Sequence, residues 1–384
     1  MAQHYDVIVL GAGIMGAATT YHLSKAGQRV LLLEQFELEH QKGSSHDASR
    51  IIRYSYDYPT YVEMAKANYP LWMALQEEAG ETLYYRTGGV DFGTPDQPYI
   101  QDLIVALNTA GINYETLSPK EAEKRFPQFR FKDDMTVIYQ AESGMLAATR
   151  STLAHIRLAQ QMGATVLAET PATKIIPTHD GVEVHTENEI YSAARLIVTA
   201  GGWIGELLED TGLHLPITPT RVQLAYFQPD NPADYDAAHC PVFIAHVPGI
   251  YSEHLPYGLS SLNGSGLKIG LHGGEGVNHP SEINYTPDAE VVDRLRAFMR
   301  DHMPGANGKL LLQRVCVYTM TPDEHFIIDK HPEHPQIIIC SACSGHGFKF
   351  GALIGTILKD LALEGTTSHD ISLFNVMRFN QITS

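Results

Sequence analysis

"YDVIVLGAGIMGAATTYHLSKAGQRVLLLEQ", residues 5–35, reads as strand, tight turn, helix and strand. Val7 to Leu10 is an unbroken apolar run, as expected of a strand covered on both faces of a parallel sheet. Gly11, Gly13 and Gly16 follow it in the spacing G-x-G-x-x-G. The first glycine permits the turn and the second lets backbone approach a pyrophosphate. The third allows close helix–strand packing, with the diphosphate at the helix N-terminus. The helix is expected to stop at Gly27, and RVLLLE supplies the second strand. Glu34 ends that strand where an acid meets the ribose hydroxyls of an adenine dinucleotide and disfavours a 2′-phosphate. A bound dinucleotide is the expectation.

FAD or NAD is not decided by this unit alone. In a simple nicotinamide dehydrogenase, strands and helices would go on alternating through the first ~150 residues. Here KGSSHDASRIIRYSYDYP, residues 42–59, intervenes, and a strand of that kind returns only in AARLIVTAGGW, residues 193–203. Helices are expected over residues 61–79 and 151–162, and mostly short strands and turns over 216–312. The interrupted pattern suits a flavoprotein of mixed α/β and α+β class. Residues 1–82, 146–215 and 313–384 are expected to form a Rossmann-like FAD-binding domain. It is interleaved with an antiparallel-sheet substrate domain of residues 83–145 and 216–312. A chain of 384 residues exceeds the roughly 250–300 at which one core stops growing, so two units are expected on size as well.

A net charge of −17 repels phosphate backbones and anionic lipid, which argues against nucleic-acid or membrane partners and for a small molecule. Cys240, Cys316, Cys340 and Cys343 are too few for a disulfide framework, so a reducing compartment fits. CSAC is a lone CxxC without the second pair of a zinc site, and the histidines show no ligand spacing. The start has no basic n-region or cleavage site, no stretch reaches the ~20 apolar residues of a membrane span, and the terminal QITS is no peroxisomal address. A cytoplasmic protein is expected.

Three segments carry candidate chemistry. In LKIGLH, strand alternation puts Lys268 and His272 on one face and Leu267, Ile269 and Leu271 on the other. That face either meets a ligand or is a solvated edge. In SRIIR, Arg50 and Arg53 point to opposite faces if extended, serving two sides of a flat cofactor or simply the surface. In SGHGFKFGALIG, glycines precede a helix whose N-terminus favours negative charge, and Lys349 sits where a cation is unfavourable unless an anion meets it. Gly351 and Gly355 leave one helix stripe bare, for a cofactor or for a neighbouring helix. Cys316, in the strand-like RVCVYTM, is by itself a small core hydrophobe.

DVIVLGAGIMG, RIIR, LKIGLH, CVYTMTPDEHFIID and SGHGFKFG together resemble the monomeric sarcosine oxidase family. That family includes N-methyltryptophan and pipecolate oxidases and lies within the glycine/D-amino-acid oxidase flavoproteins. MPGANG and DEHFIIDKHPEHP are closest to the sarcosine oxidases. The resemblance covers nearly the whole chain and implies FAD bound covalently through the sulfur of Cys316, whose thiolate a cation such as Arg50 would favour. It implies oxygen activation beside Lys268, where a fixed ammonium stabilises superoxide. Arg53 and Lys349 are implied to bind the substrate carboxylate, Tyr257 and His272 to line the substrate pocket, and His46 and Arg50 to sit on the opposite flavin face. Further cofactor contacts are implied for Ser45, Ser49, Ala172, Tyr318, Gly345, Gly347 and Phe348.

The implied activity is oxidative demethylation of sarcosine or a similar N-methyl amino acid by O2 and water, without a separate protein base. A monomer acting on a small amino acid is expected. The alternatives are oxidation of pipecolate, proline or N-methyltryptophan, an NAD-dependent dehydrogenase, and a catalytically silent flavin-binding module. Two departures bear on pocket size and flavin attachment. Ala48 and Ser49 stand where the family often has aspartate and threonine, and GLHGGEG is glycine-rich where relatives carry larger groups.

Overall fold

The computed structural model describes residues 3–247 and 249–381, so most of the terminal QITS lies outside the described residues. Strand Gln3–Leu10 runs parallel to Val30–Leu33 on one side and to Ile190–Val198 on the other. Its alternate side chains enter different cores. Val7 and Val9 pack with Ala17, Tyr21 and Leu353, whereas Ile8 and Leu10 pack with Leu196, Val198 and Ile339. Both faces being covered, each buried side chain contributes about 1.5–3 kcal/mol, and a polar residue on either face would forfeit it. Helix Ile14–Lys25 follows, and Gly27 leaves it at φ +79°. A Cβ on Gly16 would lie 1.9 Å from the Gly11 carbonyl oxygen, so the close helix–strand approach tolerates no side chain there.

Thr165–Leu167 extends this sheet beyond Val30–Leu33, and Ile337–Ser341 pairs with the C-terminal half of Ile190–Val198. The nucleotide sheet is thus assembled from distant segments, as the interrupted pattern predicts. A second sheet is mostly antiparallel, with Val242–His246 running parallel to Gly89–Gly93 as an exception. Within it Leu267–His272 lies between Thr218–Phe227 and Leu255–Leu259, so Lys268 and His272 are not on an edge. Thr218–Phe227 also pairs along its length with Leu310–Met320, which sets Cys316 opposite Val222. A small third sheet joins Ser49–Ile52, Gly144–Ala147 and Tyr84–Tyr85.

One expectation is corrected and one open alternative is decided. The region 216–312 holds a full helix, Ala289–His302, whose Val292, Leu295, Phe298 and Met299 pack with Leu267, Ile269 and Leu271. Its signals were present: apolar residues at helical spacing, and Asp288, whose side chain accepts from the Glu290 N–H at 2.8 Å. The bare stripe of helix Gly351–Leu363 faces a helix rather than a cofactor. A Cβ on Gly351 would lie 2.4 Å from Ile14 Cγ1, and one on Gly355 2.7 Å from Ala18 Cβ.

Candidate active site

A cavity of about 1040 Å³ is lined by Gly11, Gly13 and Glu34 from the opening unit and by Lys268, His272 and Cys316 from the second sheet. Glu34, 5% exposed, accepts from the Ala12 N–H at 2.8 Å and from the Phe36 N–H at 3.0 Å, which ties the turn to the end of the second strand. Ser45 Oγ accepts from the Ile14 N–H at 3.0 Å and so reaches the first turn of the glycine-rich helix. Ala172, Tyr318, Gly345, Gly347 and Phe348 line the same cavity.

His46, Arg50 and Cys316 meet at its wall. Arg50 Nη2 donates to the carbonyls of Ser44 (3.0 Å) and His46 (2.7 Å), and its guanidinium lies 5.8 Å from the centre of the Phe348 ring. Burial, and then the charge of Arg50, lower the His46 pKa to about 3, so its imidazole is neutral. Both ring nitrogens are buried without a hydrogen-bond partner among the described residues. Cys316 is 3% exposed against Val222, Leu224 and Tyr226. Burial raises its thiol pKa; Arg50 opposes the rise without overcoming it, so the expected thiolate support is present but outweighed.

Lys268 is 1% exposed. Its Nζ donates to the Ser49 carbonyl at 2.7 Å and lies 2.6 Å from Asp47 Oδ2. Ser49 does not line the cavity; its main chain holds Lys268. Burial lowers the Lys268 pKa to about 8, and Asp47 resists that fall most. Asp47 had no signal in the sequence beyond being the neighbour of His46. It restores a carboxylate to the segment in which Ala48 lacks one.

The two expected carboxylate-binding cations also line the cavity. The Lys349 carbonyl accepts from Trp72 Nε1 at 2.7 Å and Asn68 Nδ2 at 2.5 Å, both on helix Pro59–Ala79. Its Nζ donates to the Tyr56 hydroxyl at 2.7 Å and the His346 carbonyl at 2.6 Å. Burial, reinforced by Arg53, holds its pKa well below the usual lysine range. Arg53 Nη1 donates to the Ser55 carbonyl and to the Tyr99 hydroxyl, the latter at 3.1 Å, and lies 3.5 Å from Asp91 Oδ1. Asp91 in turn lies 3.1 Å from His246 Nε2, and Tyr99 stacks on His246 with ring centres 4.1 Å apart. Asp91, Tyr99 and His246 were not singled out from the sequence.

Tyr257 and His272 line the cavity. The His272 pKa is lowered to about 4 by burial and then by Arg53. The His272 ring centre lies 5.8 Å from that of Tyr318. The glycine-rich segment after His272 does not open free space, because the His254 imidazole stands 2.2 Å from where a Gly273 Cβ would sit. Cys340 and Cys343 are free thiols lining the cavity. No helix among the described residues is long and apolar enough to cross a membrane, and no three His, Cys, Asp or Glu among them are grouped to hold a metal ion.

A glycine-rich βαβ turn, a buried acid at the end of the second strand and an unpartnered neutral imidazole beside Arg50, all lining one cavity, fit FAD. Fold and site define a flavin-dependent oxidoreductase. The chain belongs to the FAD dependent oxidoreductase family, DAO, whose model matches residues 6–361. It is 38% identical to monomeric sarcosine oxidase of Bacillus sp. (strain B-0618), over 98% of this chain and 97% of that one. It is 32% identical to N-methyl-L-tryptophan oxidase of Yersinia pestis (strain Pestoides F), over 98% of this chain and 99% of that one. Among solved structures, NikD, an amino acid oxidase essential for nikkomycin biosynthesis, matches with a TM-score of 0.87 and 26% identity over 98% of both chains.

Proposed function

We propose that the protein oxidatively demethylates sarcosine or a similar N-methyl amino acid, taking up O2 and water and releasing glycine or the parent amino acid, formaldehyde and hydrogen peroxide. The observation that carries this reading is the gathering of Lys268, Arg53, Lys349 and Cys316 around one cavity. A bound FAD would supply the two-electron oxidising chemistry at the substrate C–N unit, with O2 as the final acceptor. Arg53 and Lys349 hold the carboxylate, the first as a fork and the second as a point charge. Their positive field favours the neutral form of the bound amine, which must not be protonated to be oxidised. Tyr257 and His272 bound the substrate, and the Lys268 ammonium stabilises the negative charge that develops on oxygen.

We further propose that Cys316 tethers the cofactor through its sulfur. Cys316 would hold the group as a thioether, formed with net loss of two hydrogens to O2, which becomes hydrogen peroxide. His46 and Arg50, with Ser45, Ala172, Tyr318, Gly345, Gly347 and Phe348, would hold the rest of the group. The reading includes a cytoplasmic monomer and the interleaved two-domain division set out above. The test is peroxide release from sarcosine, pipecolate, proline and N-methyltryptophan, with fastest turnover on sarcosine. The six tyrosines lining the cavity, Tyr56, Tyr58, Tyr61, Tyr99, Tyr257 and Tyr318, favour a second reading in which an aromatic N-methyl amino acid is preferred. Faster peroxide release from N-methyltryptophan selects it, and no release from any of the four overturns the proposal.

A further inference from the structure

Asp47 has φ +98°, a conformation that a non-glycine residue holds only when its surroundings enforce it. Here they do: its carbonyl accepts from the Thr149 N–H at 3.2 Å and from Thr149 Oγ1 at 3.0 Å, at the start of helix Ala148–Gln161. The twist turns the side chain into a cluster of cations. Asp47 Oδ2 lies 2.6 Å from Lys268 Nζ and 3.6 Å from Arg50 Nη1, while Oδ1 accepts from the Tyr226 hydroxyl at 2.8 Å and lies 3.7 Å from Arg314 Nη1. Asp47 is 5% exposed and Lys268 1%.

We propose that Asp47 is the positioning residue for Lys268, holding its amine charged and aimed at the cavity wall where oxygen is reduced. This inference rests on the function proposed above for Lys268. The groups facing Lys268 come from four directions. Asp47 and His46 lie on the segment before strand Ser49–Ile52, Arg50 on that strand, and Cys316 with Arg314 on Leu310–Met320. Tyr226, on Thr218–Phe227, reaches the pair through Asp47. Arg50 and burial both favour loss of the lysine proton, and Asp47 is the largest influence against it. With the carboxylate in place the ammonium persists through neutral pH. Removing it should release the proton at lower pH.

The experiment uses the FAD-loaded protein and follows reoxidation of the reduced enzyme by O2 in a stopped-flow instrument across pH 5.5 to 9.5. In the native protein the rate should hold to a pH near 8 and then fall. In Asp47→Asn the fall should move at least about one pH unit lower, making reoxidation about tenfold slower at pH 7.5. At pH 5.5 the difference should be less than about threefold, and flavin reduction by substrate should change less than that. Asp47→Gly, which suits the backbone but lacks the carboxylate, should show the same shift and stands in if the asparagine variant does not fold. A readout without turnover is the thermal unfolding of Asp47→Asn, Lys268→Met and the double variant. The double variant should lose clearly less than the two single losses added, because the pair is already broken.

An unmoved alkaline limb in both Asp47 variants overturns the proposal, as does additivity in the unfolding cycle. Lys268→Met separates this failure from failure of the functional reading. If that variant slows reoxidation and the Asp47 variants leave the limb in place, only the Asp47 assignment falls. If it slows reduction and reoxidation equally, Lys268 is not the oxygen-side residue and both fall.

Discussion

Asp91 Oδ1 lies 3.5 Å from Arg53 Nη1, so the cation proposed to receive a substrate carboxylate already has a buried carboxylate beside it. Arg53 therefore keeps its charge, but part of its field is spent inside the protein. Asp91→Asn should expose that field to substrate. KM for sarcosine should fall about tenfold, since even ~1.4 kcal/mol of recovered attraction has that effect. Stability should fall by about 3–5 kcal/mol, because a buried cation loses its counter-charge. Steady-state kinetics and thermal unfolding check the two opposite signs; an unchanged KM would show that Arg53 does not meet the carboxylate.

Lys349 provides a test by proton uptake. Burial and Arg53 hold its pKa well below the usual lysine range, and an incoming carboxylate should restore its affinity for a proton. Binding of methoxyacetate, a sarcosine-shaped acid with no amine to oxidise, should take up protons and weaken as pH rises above the lowered pKa. Calorimetry in buffers of different ionisation heat reads this directly. Lys349→Met should abolish the uptake and weaken binding by about tenfold or more.

Gly355 tests the helix-to-helix reading of the bare stripe. A valine there would drive a side chain into Ala18 on the glycine-rich helix. Gly355→Val should cost about 1–3 kcal/mol or more of stability and loosen the cofactor, whereas Thr356→Ser one residue along should do neither. Thermal denaturation with and without added FAD measures both effects.

Acid sensitivity follows from buried neutral histidines. The His46 and His155 pKa values are both lowered to about 3, mainly by burial, while in the unfolded chain each takes a proton near 6.5. Their contribution to stability is fully present above pH 6.5 and is lost as pH falls from there toward 3. Each should cost about 1.4 kcal/mol per pH unit in that window. The chemical-denaturation midpoint should drop between pH 6.5 and 5, and His155→Gln should flatten the slope.

Much of the fold was legible because its signals are local. Gly11, Gly13, Gly16 and Glu34 fall within one strand–turn–helix–strand unit, and the alternation in LKIGLH assigns Lys268 and His272 to one face without any knowledge of the partner strands. The helix Ala289–His302 is equally local, but its apolar spacing is masked by turn-rich neighbours. Asp47, Asp91 and His246 were different. Each gains its meaning from a partner far away in the chain: Asp47 from Tyr226, 179 positions on, and Asp91 from His246, 155 positions on. A lone acid in a loop or strand has no period to betray it. The glycine stripe of Gly351 and Gly355 was visible, but whether a helix or a ligand fills such a groove is decided by tertiary packing.

The tether at Cys316 is the central claim, and intact-mass measurement after full denaturation tests it most directly. Native-source protein should carry the mass of one FAD less two hydrogens, on the peptide containing Cys316, and Cys316→Ala should carry none. Bare chain mass in a native preparation that still releases peroxide from sarcosine would contradict it.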